Sequence, residues 1–152
     1  LLNAGLVPTH RDNLGQNFLH EVCKVYSANP EYLEDLEKAV ENGLEIDGRD
    51  CERRTPLMNA ARVGGDRFVG FLLRHGADPD AKDNNGRTPL FEAVTSHYTT
   101  APVVVNSLLE GGANATEPGP YDQNLLDMAI RRGLGAIAEL LKEAMELKGV
   151  DP

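Results

Sequence analysis

The chain has 152 residues, 41% of them apolar, and a formal net charge of −9, a balance that suits one domain with a continuous core and argues against low-complexity disorder. An acidic excess of that size argues against broad attraction to nucleic acid or to an anionic membrane surface. The longest apolar runs, FVGFLL and VVV, are far too short to span a bilayer and LLNAGL is too short for a signal peptide, so the expectation is a soluble intracellular chain, cytoplasmic or nuclear, with no membrane insertion.

Two series of similar segments run along the chain. LLNAGL, AVENGL, LLRHGA and LLEGGA align on Gly5, Gly43, Gly76 and Gly112; GQNFLHEV, RRTPLMNAA, GRTPLFEAV and DQNLLDMAI begin at Gly15, Arg53, Gly86 and Asp122. The spacing from the first series to the second is 10 residues each time. These fixed segments are rich in Gly, Asp, Asn and Pro and read as turns or short hairpins. The other half of the unit measures 28, 23 and 26 residues in successive copies, so five- and three-residue insertions fall inside it, and it reads as helix, turn, helix.

In chain order, residues 1–12 form the tail of a repeat, with Leu1 and Leu2 in the last turn of a helix, which suggests a longer solenoid; repeats follow at 13–49, 50–82 and 83–118, and a final one with a capping-like helix at 119–152. Each first helix has a start signal. Thr55-Pro56 and Thr88-Pro89 place a hydroxyl N-cap before a proline at the first helical position, and Asn17 and Asn124 supply the cap in the outer units. Gly43, Gly76 and Gly112 suit the left-handed position after a second helix. Arg53 and Asp122 stand where the other copies have glycine, which predicts mild strain for the arginine and two hairpins of altered shape. Asp35 and Lys38 weaken the apolar face of their helix. In the last helix Ile137, Leu140, Leu141 and Ala144 form one face and Glu139, Lys142, Glu143 and Glu146 another, able to cap a stack.

The unit, Gly-x-Thr-Pro-Leu-His-x-Ala-Ala followed by Gly, Leu-Leu and Gly-Ala-Asp, resembles the ankyrin repeat, and DCERRTPLMNAARVGGDRFVGFLLRHGADPDAK over 50–82 matches it almost throughout. The resemblance covers the whole chain. It implies an all-α repeat solenoid of helix-turn-helix units joined by short β-hairpin loops, serving as a protein interaction module or scaffold without catalysis or cofactor.

Enzyme and metal signatures are missing. Asp83, Asn85, Gly86 and Glu92 have the spacing of a calcium loop, but its first ligand position is Ala81, which cannot ligate. His20 occupies the Thr-Pro-Leu-His slot, where the resemblance implies a bond to turn backbone. Cys23 reads as a buried small residue and Cys51 as an exposed one near a hairpin tip, both reduced; the Asn114-Ala115-Thr116 sequon is incidental.

The resemblance implies that partners are held by hairpin tips and by the concave surface of the first helices. The residues before the N-caps are Gln16, Arg54, Arg87 and Gln123, and those ending the first helices are Lys24-Val25, Arg62-Val63, Thr95-Ser96 and Arg131-Arg132; the rows hold six basic residues and no acidic one. Acids gather elsewhere, nine with two bases over 31–52, whereas 53–76 carries five arginines and one aspartate. The expected contacts are Arg54, Arg62, Arg87, Arg131, Arg132 and Lys24, suited to an acidic or phosphorylated segment, with Tyr26 and Tyr98 in the two insertions as aromatic anchors and Leu14 and Val63 as apolar ones. A groove of about 30 Å would take about nine or ten extended residues. Competing readings are a spacer within a longer solenoid and a histone-tail reader of methyl-lysine, the latter disfavoured by the absence of tryptophan.

Overall fold

Thr55 and Thr88 adopt extended backbone, and their hydroxyls accept from the N–H groups of Met58 at 3.4 Å and Phe91 at 3.2 Å, with Pro56 and Pro89 opening the helices. Asn124 caps through two bonds, from the N–H groups of Leu126 and Asp127, and Asn17 accepts from that of His20. These local devices set the phase of every first helix. In this computed structural model, residues 10–25 and 33–149 are described, with only the backbone of 24, 25 and 33.

The helices are α1 (Phe18–Val25), α2 (Leu33–Glu41), α3 (Pro56–Val63), α4 (Asp66–Arg74), α5 (Pro89–Thr95), α6 (Ala101–Glu110), α7 (Leu125–Arg131) and α8 (Gly135–Leu147). The odd-numbered helices pack side by side as one layer, and α4, α6 and α8 as a second behind it. Gly43, Gly76 and Gly112 all hold positive φ. Each lets the chain close back on its helix, as where the Ala77 N–H donates to the Leu72 carbonyl and that of Gly76 to Leu73. Between the layers Leu19, Leu57, Phe71, Leu72, Leu90, Leu108, Leu125 and Leu141 are fully buried, an apolar seam continuous from repeat to repeat. On α2 the described side chains bury only Leu36 and Ala39, with Lys38 exposed; α4 buries Phe68, Val69, Phe71 and Leu72. The apolar deficit at 35 and 38 therefore has its expected consequence.

The fixed ten-residue segments are tighter than ladder-forming β-hairpins. No strand forms among the described residues; each turn is closed by a backbone bond from the N–H of Asp12, Asp50, Asp83 or Gly119 to the carbonyl four residues on, joined in the first three by a bond from Gly15, Arg53 or Gly86 N–H back to the aspartate carbonyl. In the first three turns the aspartate side chain also accepts two N–H bonds, at 2.8–2.9 Å, from the residues two and four ahead. Arg53 adopts φ 61°, close to 70° at Gly15 and 76° at Gly86. The arginine thus keeps the shape of its neighbours' turns, contrary to the altered hairpin expected there, and bears the strain instead. Only the fourth turn differs: Tyr121 and Asp122 are consecutive left-handed residues (φ 59° and 57°), and glycine replaces the aspartate at 119 because a Cβ there would come within 2.4 Å of the Phe91 ring.

Neighbouring repeats are stitched along the turns. Cys51 N–H donates to Leu14 O and Asn84 N–H to Glu52 O, both at 2.9 Å. His20, buried, donates from Nε2 to the Arg54 carbonyl at 2.9 Å while Nδ1 accepts from the Asn17 N–H. Nδ1 also lies 2.7 Å from Asn17 Oδ1, and desolvation lowers the His20 pKa below 6.5. Cys23 is buried and its thiol donates to backbone carbonyls; Cys51 is exposed. Ile137 and Leu141 of α8 are buried, Leu140 and Ala144 are partly so, and Glu139, Glu143 and Glu146 are exposed.

Candidate partner-binding groove

The two arginines before the proline helices have different partners. Asp50 is buried, and its Oδ2 accepts from Arg54 Nε at 2.9 Å and Nη2 at 2.8 Å, with Gln16 at 3.4 Å. Glu52 adds a weaker contact to Arg54 Nη1 at 3.5 Å. Burial alone would raise the Asp50 pKa, but the bonds from Arg54 and Gln16 outweigh it and hold the carboxyl below 3.8. The charge of Arg54, expected to face a ligand, is thereby matched within its own turn.

Arg87 has no such clamp. It is about half exposed, and its nearest carboxylate is Glu92, with Nη1 to Oε1 at 3.5 Å. Glu92 lies on α5 with only 6% of its surface exposed. Desolvation raises its pKa above 4.5, against the pull of Arg87 and Arg62. One repeat earlier the same position holds Asn59, 1% exposed, whose Nδ2 has no hydrogen-bond partner among the described residues.

Glu92 sits in a hollow of about 440 Å³ walled by Arg62, Val63, Thr95, His97 and Tyr98. Arg62 is exposed and has no ion pair among the described residues. Arg87 stands beside the hollow through Glu92. The sequence rows therefore missed one acid: Glu92 lies between them, beneath the guanidinium groups.

The three-residue insertion of the third repeat forms the far wall. Thr100 Oγ1 donates to Gly64 O at 2.9 Å and Ser96 Oγ to Arg62 O at 3.2 Å. Gly64 is required for this approach, since a Cβ there would meet Thr100 Oγ1 at 2.3 Å. The pinned loop presents Tyr98 with 56% of its surface exposed, a rigid and accessible aromatic.

Of the other expected contacts, Arg131 is exposed and, among the described residues, bonds only its own helix, from Nε to the Asp127 carbonyl at 3.4 Å. Arg132 Nη1 donates to Val94 O at 3.1 Å, which places it against the C-terminal end of α5, and it does not line the hollow that holds Arg62. Lys24 lies on α1, with its side chain outside the described residues; Tyr26 and the five-residue insertion also lie outside them. Leu14 is 52% exposed at its turn.

The calcium-like spacing at 83–92 serves the turn. Asp83 accepts the N–H groups of Asn85 and Arg87, and Glu92 faces the groove. Among the described residues no group of three or more His, Cys, Asp or Glu side chains could hold a metal ion.

A pattern describing ankyrin repeats in three copies matches residues 19–118, and the chain belongs to the ankyrin-repeat family. It is 34% identical over 147 residues to the probable palmitoyltransferase AKR2 of Saccharomyces uvarum, covering 95% of this chain and 19% of that protein. Over 136 residues it is 34% identical to the mouse B-cell lymphoma 3 protein homolog, covering 88% of this chain and 29% of the relative. It is also 34% identical over 135 residues to the glp-1 protein of Caenorhabditis elegans, covering 86% and 10%. The chain thus spans less than a third of the length of these relatives. Ankyrin repeats are generally protein-interaction modules, and no helix among the described residues is long and apolar enough to cross a membrane.

Proposed function

We propose that this chain is a binding module whose groove holds an acidic or phosphorylated segment of a partner protein, with Arg62 and Arg87 as the main contacts and Arg131 extending the row. The observation that supports this most is the hollow beside α3 and α5. Its exposed cation, Arg62, is unpaired among the described residues, and Arg87 is held by a single long contact to a buried carboxylate. Guanidinium groups so placed can exchange a weak internal partner for a bidentate carboxylate or phosphate. The buried Glu92 holds Arg87 by its one long contact, and its single charge leaves the pair of arginines with a positive balance. Tyr98 and Val63 supply apolar surface beside the charge, the combination from which interface hot spots are built.

The test is binding of a fluorescent acidic decapeptide, with and without a phosphoserine at its centre, to the chain and to the Arg62→Glu/Arg87→Glu double variant. The expected result is saturable binding to the former and a loss of about a hundredfold in the variant, with the variant's folding verified at the temperature of the titration. Equal affinity in both would overturn the proposal. A spacer role within a longer solenoid gains support from the small share of each relative that this chain spans. It predicts that the double variant is silent in binding by a longer protein as well.

A further inference from the structure

The loop at 96–100 has a second hollow on its other side, of about 430 Å³, between Tyr98 and Pro102 on one wall and Leu134, Ala136 and Ile137 on the other, with Arg132 at its rim. It arises from a mismatch of lengths. The third repeat takes five residues to pass from α5 to α6, whereas the fourth takes only three from α7 to α8, so the longer loop overhangs the shorter turn and leaves a trough. The trough is open rather than enclosed, which suits a chain running through it.

We infer that this trough is a second docking site, on the edge opposite the hairpin tips, for an internal partner segment in which an apolar side chain stands next to an acidic one. Its walls are predominantly apolar, and Tyr98 and Ala136 on either side of it are exposed. Its one fixed charge is Arg132, and no acidic residue lines it, although the chain as a whole carries −9. The trough is thus complementary to a carboxylate beside a hydrocarbon side chain. Arg132 is also preorganised. Nη1 is engaged with the Val94 carbonyl, which orients the group, and the remaining N–H groups make no bond among the described residues. A guanidinium fixed on one edge presents the other to a carboxylate with less ordering left to lose. The trough shares Ser96, His97 and Tyr98 with the groove hollow, but its cation is Arg132, and neither Arg62 nor Arg87 lines it.

The experiment is an amide NMR titration of the isotope-labelled chain with the capped tripeptide Ac-Glu-Leu-Glu-NH2, alongside Ac-Gln-Leu-Gln-NH2, Ac-Glu-Ala-Glu-NH2 and Ac-Gln-Gln-Leu, whose free C-terminal carboxylate is its only charge. The first peptide is expected to shift Tyr98, Ala101, Ala136 and Ile137 saturably and more tightly than any other. Arg132→Gln should weaken it about tenfold, as loss of one charge-assisted pair does. Ala136→Asp, at an exposed position where folding is undisturbed, should abolish the shifts, whereas Arg62→Glu should leave them in place. Shifts confined to Arg62 and Thr95, undiminished binding by Ala136→Asp, or equal binding by the neutral peptide would overturn the assignment. A preference for the free C-terminus would also overturn it, in favour of a terminal carboxylate.

Discussion

Arg54 and Arg87 occupy the same position in successive repeats, each one residue before a Thr-Pro helix start, yet one is locked and the other is only held. Arg54 makes two short bonds to buried Asp50 and touches Glu52. Arg87 also follows a buried aspartate, Asp83, but its guanidinium reaches instead toward Glu92 at 3.5 Å. Two neighbouring positions account for the difference: Glu52 is replaced by Asn85, and Asn59 by Glu92. An arginine goes where the carboxylates are, and moving one acid from the turn to the helix converts a turn latch into a groove cation. Equivalent repeat positions therefore need not have equivalent functions.

The sharpest way to break this comparison is to remove the two aspartates in turn. Asp50→Ala deletes acceptors for the Glu52 and Arg54 N–H groups and leaves the Arg54 guanidinium without its buried partner, and should cost about 3 kcal/mol. Asp83→Ala deletes only the two N–H acceptors and should cost about 1.5 kcal/mol. Urea unfolding of both variants checks the order; equal losses would mean that the Arg54 clamp contributes nothing. Arg53→Gly comes next. It relieves a left-handed arginine at φ 61° and should raise stability by about 1 kcal/mol, seen as a higher urea midpoint with an unchanged slope. A lower midpoint would show that the turn tolerates arginine without strain.

Glu92→Gln should have the smallest effect on stability, below about 1 kcal/mol, but a distinctive pH dependence. Burial raises the Glu92 pKa above 4.5, so the folded chain holds this proton more tightly than the unfolded one. The carboxylate's penalty is absent below pH 4.5, grows as pH rises through the folded value and is complete above it. The glutamine variant should therefore match the parent in acid and exceed it near neutral pH. Asp50 acts in the opposite direction: its lowered pKa supplies stability above 3.8 that is lost as pH falls through the folded value. A variant advantage that persisted unchanged into acid would contradict the assignment of buried charge to Glu92.

Much of the scaffold was legible in the residues because its determinants are local. Thr-Pro starts, glycine ends and the fixed ten-residue interval each operate within one turn of chain, and the left-handed positions at 53 and 122 followed from alignment with Gly15 and Gly86. The altered shape expected at Arg53 failed because the Asp50 side chain imposes the same bonds as Asp83. The groove was less legible. Glu92 looked like an ordinary helix residue because its cationic neighbour Arg62 is 30 positions away. The loop carrying Tyr98 is pinned by Gly64, which Thr100 reaches across 36 residues. The Asp50–Arg54 pairing was close in sequence, yet a row of basic residues gives no indication of which of them already has a partner.

In the proposed groove Arg87, and not Arg54, faces the ligand. The direct measurement is the affinity of the same acidic decapeptide for Arg87→Ala and Arg54→Ala, with each variant's folding verified by its melt. Arg87→Ala should weaken binding about tenfold, while Arg54→Ala changes it by less than about twofold. Equal losses in the two variants, or a greater loss at Arg54, would contradict the account.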